Sequence, residues 1–365
     1  MQTATTSNYC VVIGQLAADV FVSAYVEGHP AGIVAIGYQA LFKHASTGFA
    51  DVCVVGYKAA YNYNPGGTQN NEITAIGYMA AYGGASSTHR HSTIIGAYAG
   101  YYITSANNST FIGYSAGGTC KAATGNVFVG QSAGAFSGNT DSGVAYGANN
   151  VAIGEQALYT NDSGSGCVAV GWHAAYYTTG GGITAVGSNC LLAATSGGST
   201  AVGYQAGVLV STGAENTLIG YNAGEKITGG ASNVALGHRA MDNGTGSYNI
   251  SIGVRTLYSG AFGNYNVAIG HNAMYGGTSP TAANSVAIGY GALASITTGQ
   301  NNTAIGHASG LTLVTGSGNV FLGYQSGYYE TGSNKLFIDN QTRTNEATSR
   351  TSSLIYGVFD STVGN

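Results

Sequence analysis

Asn266-Val267-Ala268-Ile269-Gly270 recurs with small changes along the chain: as Val34-Ala35-Ile36-Gly37, as Asn233-Val234-Ala235-Leu236-Gly237 and as Asn319-Val320-Phe321-Leu322-Gly323. With the closing glycine as an anchor, the phrase ends at Gly14, Gly37, Gly56, Gly77, Gly96, Gly113, Gly130, Gly154, Gly171, Gly187, Gly203, Gly220, Gly237, Gly253, Gly270, Gly289, Gly306 and Gly323, most often 16 or 17 residues apart. That period is too short for a helical repeat pair or a propeller blade. The residue before each anchor is Ile, Val or Leu, and the residue three before it is β-branched except at Cys53. In a strand these two share a face, which is read as a core. The residue between them is usually Ala (Ala35, Ala75, Ala152, Ala169, Ala201, Ala268, Ala304) and lies on the opposite face with the anchor glycine. A face of Ala and Gly lets another backbone approach closely, so it is read as the contact between subunits. Phe111, Phe128, Leu218 and Phe321 widen that column and imply a different filling there.

Three residues after each anchor stands another small residue, as in Ala40, Ala59, Ala116, Ala157, Ala206, Ala223 and Ala273, usually preceded by a polar one such as Gln39, Gln156 or Asn222. This predicts a second short strand with one wet face, followed by a return loop of Gly, Ser, Thr and Asn. One period cannot bury its own apolar face, whereas stacked periods form continuous sheets. The expected fold is therefore all-β: a parallel β-roll, or β-solenoid, of about eighteen rungs of 16–17 residues, packed or intertwined as a homotrimer. Residues 1–10 form a lead-in, 11–333 the repeat shaft and 334–365 a C-terminal segment. At about 4.7–4.9 Å per rung the shaft would be on the order of 85 Å long. Asn126, Asn150, Asn216, Asn233, Asn249, Asn266, Asn302 and Asn319 open many of the phrases. They form either a hydrogen-bonded ladder or a left-handed corner, and the ladder is the expectation.

Composition removes several classes of function. Only 7% of the 365 residues are charged, against about 25% in an ordinary globular chain. Ten Lys and Arg, scattered singly, form no phosphate-binding stripe, so nucleic acid is not an expected partner. Cys10, Cys53, Cys120, Cys167 and Cys190 are odd in number and show no CxxC spacing, and they are read as free, small apolar residues. Gln15 and Asp19 interrupt the apolar stretch 9–26, so no membrane insertion is expected. Three prolines and no Gly-X-Y triplet exclude collagen. No phosphate loop, calcium-binding nonapeptide or other cofactor motif is legible, and no cofactor is expected.

The phrase running from Thr200 to Ala206 resembles the head repeat of trimeric autotransporter adhesins (the YadA-like β-roll) and its longer versions in bacteriophage tail fibres. The resemblance covers 11–327 and implies three parallel chains about a common axis. Its period departs from the shorter one common in adhesin heads. The segment from Asn334 to Asn340 and on to Gly357 resembles the stretch preceding the self-cleaving chaperone of endosialidase-type phage fibres. Neither a signal peptide nor a membrane-anchoring barrel is visible in the chain as given, which favours a virion tail appendage, assembled in the host cytoplasm, over a bacterial surface adhesin. The implied partners are two further copies of the chain, other virion tail proteins and a bacterial cell-surface receptor of glycan or protein nature.

Candidate chemistry begins with the residue after the anchor, where Tyr38, Tyr57, Tyr78, Tyr114, Trp172, Tyr204, Tyr221, Tyr290 and Tyr324 share a column with His238, His271 and His307. A second aromatic column lies five after the anchor, at Tyr61, Tyr82, Tyr101, Tyr159, Tyr176, Tyr258, Tyr275 and Tyr328. Such rings either stack on sugars or form a purely structural ladder. His89 and His91, two apart, would point the same way from a strand and could gather at a trimer axis around a metal; the alternative is a solvated loop. Long spacings at 22–31, 62–72, 83–91, 136–149 and 275–283 mark inserted loops suited to recognition. No aligned pair of carboxylates is apparent, so a glycan-degrading tailspike enzyme is the lesser alternative and no catalytic residue is assigned. An ice-binding or surface-array monomer is weaker still. Its threonine lattice would be Thr74, Thr93, Thr110, Thr184, Thr200, Thr217 and Thr303, in a column read here as facing the core.

Overall fold

The computed structural model describes residues 9–19, 22–23, 32–43, 45–46, 51–63, 72–83, 90–105, 107–120, 124–135, 147–161, 163–277 and 280–359. Two compact units divide the chain, Met1–Ser188 and Asn189–Asn365. In the first, strands Tyr9–Ile13, Gly32–Ile36, Val52–Val55, Ile73–Ile76, Ser92–Ile95, Thr110–Ile112, Val127–Val129, Val151–Ile153, Val168–Val170 and Thr184–Val186 pair in chain order, all parallel. In the second, Thr200–Val202, Thr217–Ile219, Val234–Leu236, Ile250–Ile252, Val267–Ile269, Val286–Ile288, Thr303–Ile305, Val320–Leu322 and Lys335–Ile338 do the same. Register runs anchor to anchor, with Ala235 opposite Ser251 and Ser251 opposite Ala268. Both units are thus parallel β-solenoid. The anchor glycines hold φ between 110° and 141°, a conformation that side chains oppose.

The two faces of the strand are the reverse of the expectation. Ala35, Ala75, Ala152, Ala169, Ala201, Ala268 and Ala304 are fully buried inside their own roll. The β-branched residues on either side of them point outward, half-buried to exposed, and reach 41% exposure at Ile153. The threonine column, including Thr74, Thr200 and Thr303, faces out with them. The middle strand position and the position four after the anchor share one interior space, which they fill in turn. Where the middle strand residue is Ala, the buried residue four after the anchor is often large, as in Ala35 with Leu41, Ala152 with Leu158 and Ala235 with Met241. Where the middle residue is large, that position is glycine: a Cβ at Gly117 would lie 2.9 Å from the Phe111 ring, one at Gly134 2.5 Å from Phe128, and one at Gly224 2.7 Å from Leu218. The widened column is filled by omitting a side chain elsewhere.

The second strand predicted just after the anchor does not form. The chain instead turns a corner with left-handed residues two and four after the anchor, such as Gln39 (φ 51°) and Leu41 (φ 55°). Its backbone still pairs between rungs, Lys58 N–H donating to the Tyr38 carbonyl and Ala60 N–H to the Ala80 carbonyl, both at 2.9 Å. These corners therefore pair their polar backbone from rung to rung without extended geometry. Short second strands occur farther from the anchor, Val22–Ser23 with Ala45–Ser46 and Thr160–Asn161 with Tyr177–Thr178.

The asparagines form the expected ladder. Asn216 Oδ1 accepts the backbone N–H of Asn233 at 2.9 Å, and its Nδ2 donates to the Gly230 carbonyl at 2.9 Å. Asn233 repeats both contacts with Asn249 and Gly246, as does Asn150 with Cys167 and Gly164. Each amide thus joins a strand start to a return loop one rung on. The left-handed corner belongs to the preceding residue, as at Asn149 (φ 58°) and Asn301 (φ 56°).

The C-terminal segment closes the second unit. After Lys335–Ile338 the only helix among the described residues, Glu346–Ser352, follows, capped by Asn345 and Thr348. Strand Ile355–Val358 then returns antiparallel to Lys335–Ile338. Two forked ion pairs hold this closure: Arg350 donates to both carboxylate oxygens of buried Glu330 at 2.9 and 2.7 Å, and Arg343 to both of Asp339 at 2.7 and 2.8 Å. Burial alone would raise both carboxyls, but the arginines, with the N–H groups of Gly332 and Asn340, hold them below the ordinary carboxylate range. A depressed native pKa contributes stability above the unfolded value of about 4, and that stability is lost as pH falls through the native value. The exchange protection of amides 335–358, relative to the intrinsic rate at each pH, is therefore expected to fall between pH 7 and pH 3 more than that of the Asn216–Asn266 rungs. An equal fall in both regions would contradict this.

None of the five cysteines is disulfide-bonded, and Cys120, Cys167 and Cys190 are buried. Among the described residues no helix is long and apolar enough to cross a membrane.

Candidate binding surfaces

The tight turn at the anchor points the next side chain outward, and the constant rung spacing stacks successive rings. Tyr38, Tyr57 and Tyr78 stack at 5.3 and 5.1 Å between centroids. Tyr204, Tyr221 and His238 form a second run, and His271, Tyr290, His307 and Tyr324 a third. Tyr114 meets Tyr98 edge-on, and Trp172 lies on His173 at 3.8 Å. Within each run neighbouring rings cover one another's faces, and the tyrosines are 38–52% exposed. The second column stacks likewise, Phe42 through Tyr61 and Tyr82 to Tyr101, then Tyr159 on Tyr176 and Tyr258 on Tyr275.

A third column, two residues after the anchor, faces the second across a groove. Lys58 sits over the Tyr61 ring and the Arg255 guanidinium over the Tyr258 ring, at 5.4 and 5.6 Å, and Tyr98 meets Tyr101 and His173 meets Tyr176. Burial, reinforced by neighbouring tyrosines, raises the hydroxyls of Tyr98, Tyr101 and Tyr176 above their ordinary pKa, so they stay protonated donors at neutral pH.

His89 lies outside the described residues. His91 stands at a left-handed corner (φ 49°) before its strand, with Nδ1 3.8 Å from Glu72 Oε2. Among the described residues no group of three or more His, Cys, Asp or Glu side chains is placed to hold a metal ion. Of the inserted loops, much of 22–31, 62–72, 83–91 and 136–149 falls outside the described residues.

One carboxyl pair does share a column, against the sequence reading. Glu225 and Asp242 each lie five after an anchor, on adjacent rungs. Burial, and Glu225 beside it, push Asp242 up, opposed by Lys226 and Arg239. Lys226 Nζ approaches Asp242 Oδ1 at 3.9 Å. The signal was present in the anchor numbering. Asp242 is 2% exposed, so it faces neighbouring rungs and offers no acid to a substrate.

The solenoid, its stacked rings and its polar groove are therefore the features that any function must use. No protein family, curated protein or solved structure matches this chain. The functional reading rests on the columns themselves.

Proposed function

We propose that this protein is a structural and adhesive fibre, a homotrimeric receptor-binding appendage of the bacteriophage tail-fibre kind that recognises a bacterial cell surface. The observation that carries the reading is the outward face of each unit, where Val, Ile and Leu recur from rung to rung and stay partly exposed among the described residues. Val202, Ile219 and Leu236 are 36–38% exposed on three consecutive rungs. Apolar patches that continue over many rungs mark interaction surfaces, and identical chains running in parallel present such a face to one another with matched rung spacing. The contact between subunits is thus assigned to the β-branched face and not to the Ala and Gly face. Three chains would also provide avidity for weak receptor contacts. The burial of Asp242 between neighbouring side chains gives the enzymatic alternative little support.

Light scattering is expected to give three times the 36.6 kDa chain mass. Combining Val202→Lys, Ile219→Lys and Leu236→Lys is expected to reduce it to a single chain without loss of the β-rich circular dichroism spectrum, because these side chains project outward. A wild-type monomer overturns the fibre reading. The outward threonine column would then favour an ice-binding monomer, and thermal hysteresis measures that directly.

A further inference from the structure

The second unit contains one place where both columns of the groove stop. Five after the anchor, Tyr258 and Tyr275 stack at 5.2 Å, but the next rung has Ala294 in that column. Two after the anchor, Arg255 and Asn272 are followed by Gly291. The missing side chains open a cavity of about 460 Å³ against Tyr275, with Gly277, Ala294 and Ser295 beneath it and Arg255 and Asn272 beside it. One ring face of Tyr275 lies on Tyr258, and the next residue in the column, Ala294, carries no ring to stack on the other. Asn272 Oδ1 has no hydrogen-bond partner.

Arg255 also lacks an acid, as does Arg239. Arg343 and Arg350 are each forked onto a carboxylate, whereas no carboxylate among the described residues lies within ion-pair distance of Arg255. In a chain with ten Lys and Arg in all, an exposed, uncompensated guanidinium beside an aromatic face calls for an anion. Its planar fork matches a carboxylate, and a tyrosine face flanked by polar groups suits the apolar face of a sugar ring. The cavity falls in the range that holds small ligands.

We propose that this pocket binds a carboxylated pyranose, the acidic sugar unit of a cell-surface glycan. The ring stacks on Tyr275, the carboxylate is held by Arg255, and a ring hydroxyl donates to Asn272 Oδ1 after rotation of that amide into the cavity. This deepens the adhesive reading and rests on it. It moves recognition from the tyrosines after the anchor, whose faces are taken, to the break in the second column.

Saturation-transfer NMR on the full chain with glucuronate, N-acetylneuraminate and glucose tests it. Transfer to one or both acidic sugars is expected, with glucose weaker, and the responding acid distinguishes a uronic from a sialic source. Arg255→Gln is expected to weaken binding about tenfold or more, and Tyr275→Phe to retain it. Ala294→Tyr extends the stack onto the open face and is expected to abolish binding while leaving the melting temperature unchanged. Equal binding of glucose and the acids, or acid binding that survives Ala294→Tyr, overturns the proposal. If the trimer still adheres to cells in both the Arg255→Gln and Ala294→Tyr variants, the pocket fails and the fibre stands. A wild-type chain that is monomeric and non-adherent removes the fibre itself.

Discussion

Gly220→Ala is expected to unfold the rungs around it, while Gly229→Ala, nine residues on, is expected to be nearly silent. Gly220 has φ 137°, and a Cβ there would stand 2.5 Å from the carbonyl oxygen of Gly237. Neither party can move away. Gly220 N–H is tied to the Val202 carbonyl and Gly237 N–H to the Ile219 carbonyl, both at 2.8 Å, and the same glycine contact repeats on the rungs above and below. Adopting the backbone conformation costs roughly 1–3 kcal/mol, and overpacking against fixed backbone adds about 1–3 kcal/mol. In a linear array each rung is stabilised by its neighbours, so the loss should appear as proteolytic cleavage near the substituted rung as well as a lower melting temperature. At Gly229 the nearest atom to a new Cβ is Thr212 Oγ1 at 3.5 Å, in ordinary contact. Similar melting of the two variants would show that the anchors are not constrained as described.

That constraint explains why the architecture was legible. A glycine required at one backbone position per turn leaves a mark at every rung, and alternation around it identifies which side chains share a face. Alternation does not say which face is inside. Val34 and Ile36 read as core because they are apolar, yet Ala35 faces the interior, where Leu41 fills the space beside it and leaves positions 34 and 36 on the outer face. Hydrophobicity and burial diverge here because the chain has two places to hide apolar surface, its own interior and, on our reading, another copy of itself. The misread second strand has a related cause. Gln39 and Leu41 adopt left-handed φ in a position without glycine, and the rungs on either side offset that cost, the Gln15 carbonyl accepting the Gln39 N–H and the Ala59 carbonyl the Leu41 N–H.

The binding surfaces were partly legible for the same reason. Repeated tyrosines declare a column, but the pocket beside Tyr275 is made by what is lacking at Gly291 and Ala294, and an absence is visible only when the neighbouring rungs are laid over one another. Glu225 and Asp242 show the converse, since their alignment is present in the numbering whereas the burial of Asp242 is not.

Filling of the interior can be tested by exchanging its two solutions. Phe128 is 4% exposed and stacks on Phe111 at 5.1 Å, and Gly134 leaves room for its ring. The next rung uses Ala152 with Leu158, the latter at φ 49°. Phe128→Ala alone is expected to cost about 3–5 kcal/mol through the cavity it leaves. Gly134→Leu alone drives a side chain into the Phe128 ring, for about 1–3 kcal/mol, with a further strain of about 1 kcal/mol from its φ of 56°. Together they rebuild the arrangement of the following rung, so the double variant should be more stable than either single one, with a coupling of at least about 2 kcal/mol in denaturant unfolding. Recovery should stop short of wild type, because the Phe111 ring loses its stacking partner and the strain at position 134 remains. Additive losses would mean that the two positions do not share one space, and the alternation of large and small residues between these columns would then need another cause.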